Sequence, residues 1–460
     1  MKSHRMAATS RVSFTFDHLP ITDQSFENAL DKARNGTRLT VDDAVELLTT
    51  GTDTPEIDPL RKEQVLEAAD QRRAEVAGEI VTFVANLNNN ITTACNTGCL
   101  FCNFKDSAYL FEKRYNGVHK GFTKTPNISR KTVEDALNLG ISEVCSVSGL
   151  HPALVLNSEH REILNSSPES HNTIHYKSAD NYHIDPGTYC DQISAMKVDQ
   201  VHIHSITPEE ADHAKRGTEW SYRDVYRELM KSGLNSVPGT AAEILVDEVR
   251  DVICPGKIST TEWIHAMEAA AAENLPLTAT IMYGHVENEM HRAMHLEIIR
   301  DLQDRTKMIN EFVPLSFVYP NTPLYKRGIV SNGATPSEDE LMIAVSRLFL
   351  DNIDNIQSSW VKFGDSQGLK MLSCGANDFM GTLLTEEITT RAGGTFGQFR
   401  SFNEYVDMIT AIGRIPAERT TTYDRIVELD IDYPPFGPTL GPRADGTPML
   451  SKTIPSKIFS

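Results

Sequence analysis

From Ile80 onward the chain alternates short apolar, strand-like stretches with longer segments of helical periodicity, and that rhythm is what most limits the fold open to it. Strands are expected to begin near Ile80, Glu143, Val201, Leu234, Leu277, Phe312, Asn355 and Met371. Between them apolar residues recur at helical spacing: Val133, Ala136 and Leu137 after Ser129; Tyr222, Val225, Tyr226, Leu229 and Met230 ahead of Gly233; Leu341, Val345 and Leu348. Thr335-Pro336-Ser337-Glu338 reads as a capping box with proline at the first helical position. Eight βα units over about 300 residues predict an α/β fold, a (βα)8 TIM-type barrel. A six-stranded partial barrel with an added C-terminal module is the alternative.

Ahead of the barrel, 22–33, 41–48 and 59–77 read as helices. The expected division is an N-terminal helical arm over 1–78, the barrel over 79–380, a C-terminal helical segment over 381–432 and an irregular tail over 433–460, where prolines and glycines break any regular element. The polar stretch 157–185 reads as an insertion lying over the surface.

Three of the seven cysteines stand in Cys95-Asn96-Thr97-Gly98-Cys99-Leu100-Phe101-Cys102, a CxxxCxxC triplet just after the first strand. A closed iron-sulfur cluster takes four thiolates, so three from one loop leave one iron of a 4Fe-4S cube open. Structural zinc is the competing reading, but it wants a fourth Cys or His at matching spacing, and none lies near this loop. The other four cysteines are scattered and the total is odd, so no disulfide framework is readable; a reducing cytoplasm is expected. The net charge of -19 argues against nucleic acid and anionic membrane surfaces as partners. Neither a secretory signal nor a run of eighteen apolar residues is present.

In a (βα)8 barrel the functional residues gather at the C-terminal strand ends, where the cysteine loop falls. Ser148 and Gly149 close the second strand; the glycine either lets backbone approach a ligand or simply makes a turn. His202 and His204 share one face of the third strand and line the barrel interior if that face points inward. Glu243, after Pro238-Gly239-Thr240-Ala241-Ala242, either complements a helix dipole or recognises an ammonium group. Tyr283-Gly284-His285-Val286-Glu287 ends the fifth strand and concentrates acid-base groups. His285, Glu287 and His204 are therefore the catalytic candidates. Gly375-Ala376-Asn377-Asp378 either binds polar substrate atoms or makes an Asx turn.

The cysteine spacing resembles that of the radical S-adenosylmethionine (SAM) enzymes. Asn88 and Asn90, Glu143-Val144-Cys145, Gly149-Leu150-His151-Pro152, Val201-His202-Ile203-His204, Ser236 to Leu245, Gly284-His285-Val286-Glu287, Glu311-Phe312-Val313-Pro314-Leu315 and Gly375-Ala376-Asn377-Asp378 narrow the likeness. Over about residues 40–425 the chain is similar to the FO synthase and menaquinone futalosine-pathway group, and most to the second-subunit family of FO synthase. That resemblance implies a barrel of the radical SAM kind, with a 4Fe-4S cluster on Cys95, Cys99 and Cys102 and SAM as cofactors. Ser148, Gly149 and Glu243 become cofactor-binding candidates, as does Phe101, which either touches adenine or anchors the loop. The implied reaction joins the side chain of L-tyrosine to 5-amino-6-(D-ribitylamino)uracil and releases 2-iminoacetate, with the ring-closing first subunit of FO synthase as functional partner. A futalosine-pathway enzyme, aminofutalosine synthase or dehypoxanthine futalosine cyclase, is the alternative. The chain departs from the pattern at 157–185 and at Thr306-Lys307-Met308-Ile309-Asn310, where a glycine-rich turn is expected before Glu311.

Overall fold

A computed structural model describes residues 22–49, 58–95, 97–105, 121–161, 184–198, 201–386, 388–397 and 399–429. The expected tail and most of the polar insertion lie outside the described residues.

The first stave is β1 (Ile80–Val84), which runs on through Ala85 into β2 (Asn86–Asn88). β2 pairs in parallel with β3 (Glu143–Ser146), and β3 with β4 (His202–Ser205). The fourth stave is only two parallel bridges, His204 to Ser236 and Val237 to Leu277. β5 (Leu277–Tyr283), β6 (Ile309–Ser316) and β7 (Asn355–Ile356) follow in parallel. Gln357 then bridges to β8 (Asp378–Gly381), and Asp378 pairs back to Thr82 of β1. The ring closes with every stave parallel, the expected (βα)8 barrel.

Two strand expectations need correction. The strand expected from Leu234 shrinks to the bridges at Ser236 and Val237, because Pro238 has no N–H to extend the ladder. Met371 ends a helix, Asp365–Met371, and the strand comes later at Asp378. Met371 is apolar because it is fully buried, and its hydrophobicity reads the same in helix or strand.

The staves turn their apolar residues outward and their polar ones inward. Phe83 stacks on Tyr405 of the helix Phe402–Ala411 and Phe379 meets the same ring edge-on, while Phe312 meets His295 of the helix Glu289–Thr306. Facing inward, Thr82 Oγ1 donates to Asp378 (2.7 Å), Asn86 Nδ2 to Glu143 (3.0 Å) and Gln357 Nε2 to Glu311 (3.2 Å). Buried polar groups persist only where such partners exist.

The N-terminal end of the ring is sealed by a hairpin. Residues 381–432, expected to be helical, hold two helices and also β9 (Ile415–Arg419) and β10 (Ile426–Glu428). β9 lies parallel to β1 and antiparallel to β10. It delivers Arg419, whose Nε donates to Asp378 (2.5 Å) and whose guanidinium also reaches Glu311 (3.0 Å). Tyr423 O–H donates to Glu311 at 2.5 Å.

The helical arm packs onto one side of the barrel. Pro59–Ala77 lies on the helix Pro336–Phe349, and Val41–Thr49 on Glu289–Thr306. Phe26, Leu30, Val45, Leu48, Val65 and Leu66 are buried there, each worth about 1.5–3 kcal/mol of transfer free energy. Thr335 and Glu338 make the reciprocal cap that the sequence predicts.

Candidate active site

The cysteine loop leaves the first stave at the C-terminal mouth of the barrel and is pinned from several sides. Thr92 bridges to Thr123, Leu100 N–H donates to Ile253 O (2.7 Å), and Leu324 N–H donates to Leu100 O (2.9 Å). Lys105 Nζ donates to the carbonyls of Thr97 (2.9 Å) and Cys99 (2.8 Å), folding the loop around its ammonium. Asn103 Nδ2 adds a bond to Arg391 O at 2.6 Å.

None of the three cysteines is in a disulfide; Cys99 is buried and Cys95 and Cys102 are half-buried. They line a cavity of about 230 Å³, together with Phe101, Ser148, Gly149 and Glu243. Burial pushes the Cys99 thiol well above its ordinary range, with the Lys257 ammonium pulling the other way, and burial also raises Cys102. Thiolates form there only with a cation to hold them. Among the described residues no three His, Cys, Asp or Glu side chains are grouped to hold a metal ion. A single zinc ion needs all its donors about 2.3 Å from one point, whereas a cube takes each thiolate on a different iron. The donor set, three thiols of one loop facing one cavity, fits the cube.

Ser148 ties the second stave to this loop. Its hydroxyl accepts from Ile91 N–H (2.6 Å), and its own N–H donates to Glu210 Oε1 (3.1 Å). Gly149 passes so close to the Ala94 carbonyl that a Cβ there would overlap it. The close approach explains this glycine, whereas a plain turn does not.

Glu243 does not sit at a helix start. Ala241 (φ 76) and Glu243 (φ 47) are both left-handed, and the helix begins only at Asp247. The helix-dipole account therefore fails, and the strained backbone instead aims the carboxylate at the cavity. There it pairs with Lys257 Nζ at 2.6 Å, and the same ammonium lies 5.4 Å from the Phe101 ring centroid.

The remaining candidates lie apart from the cavity lining. His285 Nδ1 lies 2.8 Å from Glu287 Oε2 with neither side chain exposed, and Arg292 forms an ion pair with Glu287 at 2.9 Å. Burial opposes ionisation of Glu287, yet His285 and Arg292 hold it well below the usual carboxylate range. The His285 ring packs edge-on against Phe317, which does line the cavity. His204 faces the barrel interior, with Nδ1 2.7 Å from Ser236 Oγ; His202 Nε2 meets the same oxygen at 2.7 Å. Burial lowers His202 to about 4 and His204 to about 3, so both rings are neutral. A hydroxyl has one proton, so one ring accepts it and the other donates.

Lys257, Glu209, Glu210 and Lys362 also line the cavity, and the sequence reading missed them. Glu210 fills the third position of the Thr207 capping box, a pattern that announces only a helix start. Lys257 and Lys362 carry no spacing signal.

A parallel barrel with a CxxxCxxC thiol triplet at its mouth defines the radical SAM class. The family model for the radical SAM superfamily matches residues 89–299, and that for the CofH/MqnC C-terminal region matches 306–429. The chain is 69% identical to the 5-amino-6-(D-ribitylamino)uracil--L-tyrosine 4-hydroxyphenyl transferase of Haloarcula marismortui, over 95% of this chain and 97% of that one. It is 63% identical to the same-named protein of Halobacterium salinarum, over 96% and 97%. The FeFe-hydrogenase maturase HydG from Carboxydothermus hydrogenoformans shares the fold, with a TM-score of 0.58 at 15% identity over 87% of this chain and 81% of that one. The chain belongs to the family of 5-amino-6-(D-ribitylamino)uracil--L-tyrosine 4-hydroxyphenyl transferases and is a radical SAM enzyme.

Proposed function

We propose that the chain joins the side chain of L-tyrosine to 5-amino-6-(D-ribitylamino)uracil, a step toward the deazaflavin FO, with 2-iminoacetate, methionine and 5'-deoxyadenosine released. The observation that carries this reading is the single cavity uniting Cys95, Cys99 and Cys102 with Ser148, Gly149 and Glu243, in a chain with near full-length likeness to enzymes of that name. When bound, the 4Fe-4S cluster and SAM supply the 5'-deoxyadenosyl radical. The three cysteines would each hold one iron of the cluster, and Lys105 keeps their loop in shape. Glu243 and Lys257 offer opposite charges side by side, suited to the ammonium and carboxylate of a methionyl group. Phe101 supplies a flat apolar wall. His285 and Glu287 position Phe317 from behind the lining, and His204 fixes Ser236 within the barrel.

Among the described residues no helix is long and apolar enough to cross a membrane. We place the chain in a reducing cytoplasm because none of its seven cysteines is in a disulfide, and we assign it the ring-closing first subunit of FO synthase as functional partner.

The test is anaerobic reconstitution with iron, sulfide and reductant. 5'-Deoxyadenosine should accumulate when SAM, L-tyrosine and the diaminouracil are supplied together. Formation indifferent to tyrosine, or product only with futalosine-pathway substrates offered in parallel, refutes the reading.

A further inference from the structure

Three lysines line the cavity, and two of them already have work there. Lys105 is spent on loop carbonyls, and Lys257 is paired with Glu243. Lys362 differs. It sits in the short helix Trp360–Phe363 that follows the seventh stave, and its Nζ donates to a neutral hydroxyl, Thr389 Oγ1, at 2.6 Å. That hydroxyl passes its own proton to Glu386 Oε1 (3.2 Å), which also accepts Thr389 N–H at 2.9 Å. Thr389 is thereby fixed as the acceptor for the ammonium.

An ammonium has three donors, and Thr389 takes one. Among the described residues no carboxylate lies within ion-pair distance of Lys362, so two of its donors stay at the cavity wall. Burial lowers its pKa, with Glu386 and Glu243 opposing from further away. An arriving anion would reverse that penalty. Around the ring, the stave that carries Glu243 and Lys257 is the fourth and the one before Lys362 is the seventh, so the two cationic positions lie on different sides of the mouth. Ile388 and Ala392 beside Lys362 give the lining an apolar strip fit for an aromatic or aliphatic group.

Building on the tyrosine-to-uracil reading above, we infer that Lys362 is the handle for the carboxylate of the amino-acid co-substrate, with Thr389 and Glu386 aiming its ammonium. A carboxylate in this cavity has two sources, the free amino acid and the methionyl end of SAM. The Glu243–Lys257 pair already offers the methionyl group its complement, so Lys362 is assigned to the amino acid. No bond is made or broken by Lys362.

The test uses cluster-loaded, SAM-bound enzyme without reductant, so that nothing turns over, and measures binding of L-tyrosine and of L-tyrosinamide by calorimetry. The native enzyme should prefer tyrosine to its amide. Lys362→Gln should weaken tyrosine by about tenfold or more, the worth of a charge-assisted hydrogen bond, and leave the amide and SAM within about twofold. Lys362→Arg should keep most of the preference, and in turnover KM for tyrosine should rise more than kcat falls. Unchanged tyrosine binding in Lys362→Gln overturns the assignment while leaving the proposed function intact. Loss of SAM binding alone moves the carboxylate to SAM and also overturns it. Native enzyme that binds no tyrosine sinks both the proposed function and this inference. The comparison of tyrosine with tyrosinamide on native enzyme needs no variant, so misfolding of Lys362→Gln would not shield the proposal.

Discussion

Glu210 offers a quantitative check on how this cavity is built. The side chain is 1% exposed, its Oε1 accepts Ser148 N–H (3.1 Å) and its Oε2 accepts Thr207 N–H (2.9 Å). Burial raises its pKa from 4.5 to about 7, against hydrogen bonds from Thr207 and Ser148 that favour the charged form. A carboxyl with a raised folded-state pKa binds more protons folded than unfolded. Its contribution to stability is therefore fully present below 4.5 and is lost as pH rises through about 7. At 1.36 kcal/mol per unit that loss is about 3 kcal/mol, of which about 2 kcal/mol falls between roughly pH 5.5 and pH 8. Glu210→Gln keeps the shape of the neutral acid and does not titrate. Urea midpoints of cluster-loaded native and Glu210→Gln protein, measured anaerobically across that range, should show the variant gaining about 2 kcal/mol on the native chain as pH rises. Glu311, also raised to about 7, and Asp339, raised to about 6, are present in both proteins and cancel in the difference. A difference that stays flat with pH, or that favours the native chain at high pH, would show that Glu210 is not a carboxylate held against its burial.

Gly149→Ala should force the Ala94 carbonyl away and disturb the entry to Cys95, lowering iron content and the visible absorbance of the reconstituted protein while the far-ultraviolet dichroism stays native. Arg419→Gln should cost about 3–5 kcal/mol in denaturant titrations, because it leaves Asp378 and Glu311 buried without their cation. Lys307→Gly should raise the denaturation midpoint by about 1 kcal/mol equivalent, since Lys307 caps the helix Glu289–Thr306 at φ 58, a conformation that suits glycine. An unchanged or lower midpoint would place the compensation in its exposed contact with Asp304.

The barrel was legible because six of its staves begin close to where short hydrophobic runs begin. The two failures have local causes. Ser236 and Val237 are too brief a pairing to leave a pattern, and β8 opens on Asp378, a charged residue that no hydrophobic scan selects. The hairpin floor was hidden for a related reason: Ile415–Arg419 contains Pro416, and a proline demotes a strand reading. The likeness to its family led to the expectation of glycine near Glu311, and the chain uses left-handed Lys307 there instead. In the site, spacing alone revealed the thiol triplet and put His202 and His204 on one face, where they do share Ser236. Lys257, Glu210 and Lys362 come from different loops and meet only through the ring closure, so no local pattern carries them.

The sealed floor and the cavity belong to one design. A barrel whose staves turn polar groups inward has an interior that would admit water unless each layer were paired. Arg419, Asp378, Glu311 and Tyr423 close the N-terminal end with a mutually satisfied set, and the pairs Asn86–Glu143 and His204–Ser236 face the interior further along the staves. The cavity lined by the thiols stands at the opposite end, the mouth. Radical chemistry has reason to demand this, because a carbon radical abstracts hydrogen from whatever is nearest and an enclosed site limits what is near.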